Sequence, residues 1–124
     1  MRRTSPLVVL VALVASGCFS DKPAPLEPGA PATGAVTASS TANTFTPQVL
    51  NVLQGGTVTW TFGTRPHNVT FVQTAGTPQN VPTTTNNNAA RTFDTPGTYA
   101  YACTLHAGMV GTVNVVAKPS QPTR

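Results

Sequence analysis

Residues 57–62 have the sequence Thr57-Val58-Thr59-Trp60-Thr61-Phe62, in which threonine alternates with an apolar residue. A period of two places Val58, Trp60 and Phe62 on one face of an extended chain and the threonines on the other. The segment therefore predicts a β-strand that turns one face to a core and the other to solvent.

Similar short segments lie on both sides of this strand. A weak strand opens at Val36, and alternating or apolar segments follow at residues 48–52, 67–72, 91–93, 98–102 and 110–116. Gln54-Gly55-Gly56 and Asp94-Thr95-Pro96-Gly97 are turn signals between them. About seven short strands without a convincing helix predict an all-β, Greek-key β-sandwich. Residues 73–90 are polar and rich in Thr, Asn and Pro, so we expect a long loop or an irregular edge there.

The charge content limits the classes of partner. Only 8% of the 124 residues are charged, and the formal net charge is +4. Outside the N-terminal pair Arg2 and Arg3, the positive residues are scattered: Lys22, Arg65, Arg91, Lys118 and Arg124. No basic cluster with interleaved aromatic residues occurs, so nucleic acid is not an expected partner. A slightly basic surface can still steer an acidic protein partner.

The N-terminus has the pattern of an export signal. Arg2 and Arg3 precede an apolar run over residues 7–15, which is about half of the roughly 20 residues that a membrane-spanning helix needs. The run ends in Ala15-Ser16-Gly17-Cys18, which resembles the lipobox of bacterial lipoproteins. The resemblance implies cleavage before Cys18 and lipidation of its sulfur, with several acyl chains giving a durable anchor. Ordinary secretion with cleavage near Gly17 is the alternative.

These patterns divide the chain into four parts. We expect a signal peptide at 1–17, a lipidated Cys18 with a Pro/Ala-rich tether over 18–34, a folded domain at 35–118 and a flexible tail at 119–124. The expected location is the periplasmic or cell-surface side of a bacterial membrane, with the domain held above the lipid surface by the tether.

The segment Cys103-Thr104-Leu105-His106-Ala107-Gly108-Met109 spaces a Cys, a His and a Met three residues apart, and His67 begins an upstream strand. Two imidazoles, a thiolate and a thioether are the ligand set of blue-copper sites, because they suit both Cu(I) and Cu(II). Each residue alone has an ordinary structural role. After the leader, however, the chain holds two His, one Met and one Cys besides Cys18, and all of them fall in one site. The alternatives are a Cys18–Cys103 disulfide and zinc in the same pocket.

The domain resembles the cupredoxins of the plastocyanin and amicyanin group over most of residues 35–117. The matching pieces are Phe45-Thr46-Pro47, Gly55-Gly56-Thr57-Val58-Thr59-Trp60, His67-Asn68-Val69-Thr70-Phe71, residues 93–103 and residues 109–115. The resemblance implies an eight-stranded sandwich with one type 1 copper ion, bound by His67, Cys103 and His106 and weakly by Met109. It also implies that Asn68 ties the two ligand loops together with Thr104, and that His106 is the electron port within an apolar patch of Leu105, Ala107 and Gly108.

The chain departs from relatives in two places. Two residues separate His106 from Met109, which matches the short amicyanin spacing, and Leu105 stands where many relatives carry Pro. Asp94 is the only carboxylate of the predicted domain, so a docking mode that uses an acidic patch, as in plastocyanin, is not expected.

The resemblance implies a monomeric electron-transfer protein that shuttles single electrons between a redox donor and acceptor. A copper carrier or chaperone with the same ligands is the alternative. An enzyme is not expected, since multicopper oxidases and copper nitrite reductases need histidines beyond His67 and His106. A metal-free adhesion module is the remaining possibility.

Overall fold

The computed structural model describes residues 29–120. This part of the chain contains nine β-strands and no helix. The strands are β1 (Thr33–Ala38), β2 (Phe45–Thr46), β3 (Val49–Leu53), β4 (Gly56–Phe62), β5 (His67–Phe71), β6 (Val81–Thr84), β7 (Asn87–Phe93), β8 (Gly97–Ala102) and β9 (Val110–Val116).

The strands form two sheets. One has the order β2-β1-β4-β7, and the other has the order β3-β9-β8-β5-β6. β1 runs parallel to β4, β3 runs parallel to β9, and the other pairs are antiparallel. The predicted all-β sandwich is confirmed. The strand count is higher than predicted because β2 is only two residues long and because β6 lies in the segment expected to be a loop.

The core lies between the two sheets and is rich in aromatic rings. Val58, Trp60 and Phe62 of β4 are buried, as their alternation predicts. The Trp60 ring meets Phe71 and Tyr101 of the opposite sheet edge-on, with centroids 5.9 and 5.5 Å apart. Such edge-to-face pairs add to the stabilisation that burial of the rings already provides. The same face rule holds for β5, where His67, Val69 and Phe71 are all buried.

The strand directions bring several connections to one end of the sandwich, which we call the upper end. β4 and β8 end there, and β5 and β9 begin there, since β5 and β9 are both antiparallel to β8. β1 also ends there because it is parallel to β4. The turn between β4 and β5 and the loop between β8 and β9 therefore lie side by side, although they are about forty residues apart in sequence.

The segment 73–90 is more regular than its composition indicates. It contains β6 and the first residues of β7, and β7 pairs along its whole length with β4, from Asn87 opposite Phe62 to Phe93 opposite Gly56. The prediction of a long loop or an irregular edge holds for residues 73–80, which form a loop, and for β6, an edge strand whose pairing with β5 shifts register. Only the start of β7 is more regular than predicted. Asn and Pro are poor strand formers in isolation, but pairing with a neighbouring strand overrides that preference.

The folded domain also begins earlier than the predicted boundary at residue 35. β1 starts at Thr33, and the carbonyls of Pro31 and Ala32 accept hydrogen bonds from the backbone N–H groups of Leu53 and Thr57. The last residues assigned to the tether thus belong to the sandwich.

The leader, Cys18 and most of the tether lie outside the described residues, as does the end of the tail at 121–124. Within residues 29–120, no helix has the length and apolar character required to cross a membrane.

Candidate metal centre

His67 occupies the first position of β5 at the upper end, and its side chain is 0% exposed. Its Nε2 lies 2.8 Å from the carbonyl oxygen of Ser39, at the end of β1. A carbonyl only accepts hydrogen bonds, so Nε2 carries the proton and donates it. The Nδ1 atom of the neutral ring is then left with a lone pair that points into the site, as a metal ligand requires.

The loop between β8 and β9 is short and folded back on itself. The backbone N–H of Cys103 donates to the carbonyl of Met109 (2.9 Å), and the N–H of Met109 donates to the carbonyl of His106 (3.2 Å). Gly108 turns the chain with φ = 77°, a left-handed conformation that glycine adopts without a steric penalty. Two residues between His106 and Met109 therefore suffice to return the chain to β9.

Three side-chain atoms converge between these two segments. The Nδ1 atoms of His67 and His106 are 3.1 Å apart, and the Sγ of Cys103 lies 3.8 Å from the first and 3.5 Å from the second. A point equidistant from the corners of this triangle is about 2 Å from each atom, close to the 2.0–2.3 Å of bonds from a transition metal to imidazole and thiolate. The donor set and its spacing fit a metal ion in trigonal coordination.

Two side chains of the loop between β8 and β9 are buried. Cys103 is 4% exposed, and Met109, which ends the loop, is fully buried. Met109 follows directly after the turn at Gly108, and its backbone closes the loop through two hydrogen bonds. Burial of these two side chains restricts the access of water to the metal and influences its reduction potential.

His106 is the one converging residue that is partly exposed. Partial burial lowers the pKa of its imidazole, and electrostatic repulsion from Arg65 and from His67 lowers that pKa further. The Nε of Arg65 donates a hydrogen bond to Nε2 of His106 at 3.1 Å. Arg65 lies in the turn between β4 and β5, two residues before His67.

Asn68 links the strand that carries His67 to the loop that carries the other ligands. Its Nδ2 donates to Oγ1 of Thr104 at 2.7 Å, and its Oδ1 accepts the backbone N–H of Thr104 at 2.9 Å. The two bonds hold the residue after His67 against the residue after Cys103. The contact that the family resemblance implied between Asn68 and Thr104 is present.

Comparison with known proteins identifies the family. Residues 32–116 match the family of copper binding proteins described as plastocyanin/azurin. The chain belongs to this family. Copper is accordingly its cofactor, and His67, Cys103, His106 and Met109 form the type 1 site. No curated protein matches the chain.

Several solved structures are similar to the domain. An oxidized amicyanin mutant is 33% identical to this chain. The alignment covers 68% of this chain and 83% of the amicyanin, with a TM-score of 0.58. A purple cupredoxin from Nitrosopumilus maritimus is 28% identical over 67% of this chain and 99% of its own, with a TM-score of 0.57. A copper-containing nitrite reductase from Thermus scotoductus SA-01 is 26% identical over 71% of this chain, with a TM-score of 0.59, but this chain spans only 23% of that protein.

The sequence alone did not identify two residues that act on the site. The Ser39 carbonyl fixes the proton of His67, but a backbone group has no sequence signature. Arg65 was noted as one of several scattered cations, and its contact with His106 depends on how two distant loops meet. Blue-copper electron transfer, the general function of this family, fits the site as built.

Proposed function

We propose that the chain carries single electrons between redox proteins through the copper centre at the upper end. The observation that carries this proposal is the unequal exposure of the ligands. His67 and Cys103 are buried, whereas the ring of His106 reaches the surface. Copper, when bound, alternates between Cu(I) and Cu(II) and so supplies the exchange of one electron.

The protein residues keep the ligand geometry constant during such an exchange. His67 is fixed by Ser39, the ligand loop is closed by its own backbone hydrogen bonds, and Asn68 joins the two segments. Rearrangement of the ligands would slow electron transfer. A site whose ligands are held from two directions therefore favours the transfer of electrons.

The surface around His106 suits brief contact with another protein. Leu105 is 49% exposed and Val110 is 46% exposed, and Ala107 and Gly108 are exposed between them. An apolar patch around the one ligand that reaches the surface lets a partner approach without the cost of desolvating charges. Turnover of a substrate by this chain is not part of the proposal.

The test is a visible spectrum of the Cu(II)-loaded chain, followed by mixing with a reductant in a stopped-flow instrument. We expect an intense thiolate-to-copper band that bleaches on reduction and returns on oxidation. Cys103→Ala removes the band, while Met109→Ala shifts the band and the potential but keeps the colour, since an axial thioether is a weak ligand. Loss of copper in every redox cycle would contradict the proposal and favour a copper carrier.

We further propose that the mature protein is exported and anchored through lipid on Cys18, as a monomer. The small residues before Cys18 support the anchor. Metabolic labelling with radioactive palmitate checks it: the wild-type chain is expected to take up label and to sediment with membranes, and Cys18→Ala is expected to do neither. Label-free, soluble wild-type protein would favour ordinary secretion.

A further inference from the structure

We propose that Arg65 and the exposed edge of His106 together form a docking site for a carboxylate of an acidic redox partner. The inference rests on the proposed electron-transfer function and specifies the chemistry of the partner.

The hydrogen bonds around the two histidines form a chain with a defined direction. Nε2 of His67 donates to Ser39, so Nδ1 of His67 accepts from Nδ1 of His106. Nε2 of His106 then accepts from Nε of Arg65. In this arrangement the ring proton of His106 is at Nδ1, the nitrogen that faces Cys103 and His67.

With copper bound at its Nδ1, His106 would lose the last of these bonds. A neutral imidazole carries one ring proton, so a ring that coordinates through Nδ1 has its N–H at Nε2. Nε2 of His106 and Nε of Arg65 then become two donors 3.1 Å apart. Two N–H groups that point at each other cannot bond, so the Arg65 side chain would turn aside and both N–H groups would need an acceptor from outside. With copper bound, the surface of the site would therefore present a pair of unpaired donors.

The described residues supply no anion to this pair. Within residues 29–120 the charged side chains are Arg65, Arg91, Asp94 and Lys118. Asp94 follows β7 and precedes β8, which places it at the end of the sandwich opposite His106. Arg65 is thus the only charged side chain that this part of the chain presents at the upper end.

The chemistry of the site favours a carboxylate on a protein surface. The planar guanidinium of Arg65 matches the two oxygens of a carboxylate, and the described structure shows no hydrogen bond from its two terminal nitrogens. The exposed side chains of Leu105 and Val110 lie in and beside the same loop as His106. A positive charge next to an apolar patch is complementary to a protein surface that combines apolar and acidic residues.

The first experiment measures the oxidation of the Cu(I)-loaded full chain by ferricyanide, an anion, and by tris(phenanthroline)cobalt(III), a cation. We expect Arg65→Gln to slow the reaction with ferricyanide about five- to tenfold at low ionic strength, and the difference to shrink at 1 M salt, where the Debye length is about 3 Å. The reaction with the cobalt complex is expected to stay equal or to become faster. Lys118→Gln is the matched control: it removes the same charge at the opposite end and leaves both rates unchanged.

The second experiment tests the carboxylate directly. A hexaglutamate peptide is added to the Cu(I)-loaded chain, and the Nε2–H resonance of His106 is followed by NMR. We expect a saturable shift of this resonance in the wild type and a weaker one in Arg65→Lys, which keeps the positive charge but loses the planar guanidinium. We expect no shift in Arg65→Gln. A shift on addition of inorganic phosphate but not of the peptide would overturn the assignment to a carboxylate.

The outcomes separate the inference from the function on which it rests. If neither oxidant reacts with the reduced chain, the proposed electron transfer is wrong. If both oxidants react and Arg65→Gln behaves like Lys118→Gln, electron transfer stands and the docking site is wrong.

Discussion

His67 and His106 bind the same metal from regions that are held in different ways. His67 begins a paired strand, is fully buried and is fixed by a carbonyl of the opposite sheet. His106 lies in a loop, is partly exposed and accepts a hydrogen bond from the end of a long side chain, Arg65. The contrast indicates two different roles. The strand that carries His67 fixes the coordination geometry, and the loop that carries His106 is the side open to solvent and to other molecules.

The largest test of this contrast removes each imidazole in turn. His67→Gly and His106→Gly are both expected to abolish the blue absorption of the Cu(II) protein. Added imidazole restores the band in His106→Gly, because the gap opens to solvent. It does not restore the band in His67→Gly, because that space is enclosed and the Ser39 carbonyl lies at its base. Titration with imidazole, followed by absorbance, measures both responses. Equal recovery would remove the distinction.

A second test compares a glycine within a strand, Gly111, with a glycine of the ligand loop, Gly108. A Cβ at Gly111 in β9 would clash with the Tyr101 ring, whereas a Cβ at Gly108 would meet nothing within 4 Å. Gly111→Ala is expected to lower the free energy of unfolding by about 1–3 kcal/mol through overpacking. Gly108→Ala costs about 1 kcal/mol, from its positive φ alone. Urea unfolding of the metal-free proteins measures both, and a larger cost at Gly108 would show that the loop is the more constrained region.

The third test removes the hydrogen bonds between the strand that carries His67 and the loop that carries His106. Asn68→Ala removes both hydrogen bonds to Thr104, and we expect the transfer of copper to a chelator to become about tenfold faster, as is typical when a partner of a ligand is lost. Asn114→Ala is a suitable control, since Asn114 also bonds across strands, to Asn51, but away from the site. Similar transfer rates in the two variants would mean that Asn68 only stabilises the fold.

The smallest effect concerns protonation of the loop-held ligand in the metal-free protein. The pKa of His106 lies below the usual histidine value of about 6.5, so the unfolded chain binds more protons than the folded chain below about pH 6.5. The His106 contribution therefore lowers stability as the pH falls through that range. Arg65→Gln is expected to raise the pKa of His106, because a repelling charge is removed, and Lys118→Gln is not. NMR titration of the ring C–H signals measures the pKa, and an unchanged value in Arg65→Gln would contradict the assigned cause.

The ligand residues were predictable because each has an uncommon side chain in a chain that has few of them. Cys103, His106 and Met109 are close in sequence, so their spacing alone sets the loop, and the alternation in β4 sets the core face. The structure places Asn68 against Thr104 as the family resemblance implied.

The remaining features depend on contacts between distant segments. β6 and the start of β7 are polar, and they become strands only because β5 and β4 provide partners. Arg65 meets His106 because the strand directions bring two connections together at the upper end. Local sequence patterns carry no information on contacts between distant segments, so neither these strands nor the cation beside His106 could be predicted.

The edge strand β6 has a consequence for how copies of the protein behave toward one another. Its pairing with β5 slips by one residue between His67 and Val69, and its exposed Pro82 has no N–H and gives its carbonyl to the Thr84 hydroxyl. A strand from another copy finds few partners on such an edge. A surface with so little charge offers weak repulsion between copies. One proline thus helps to keep a nearly uncharged sandwich from growing into a continuous sheet when many copies are crowded together.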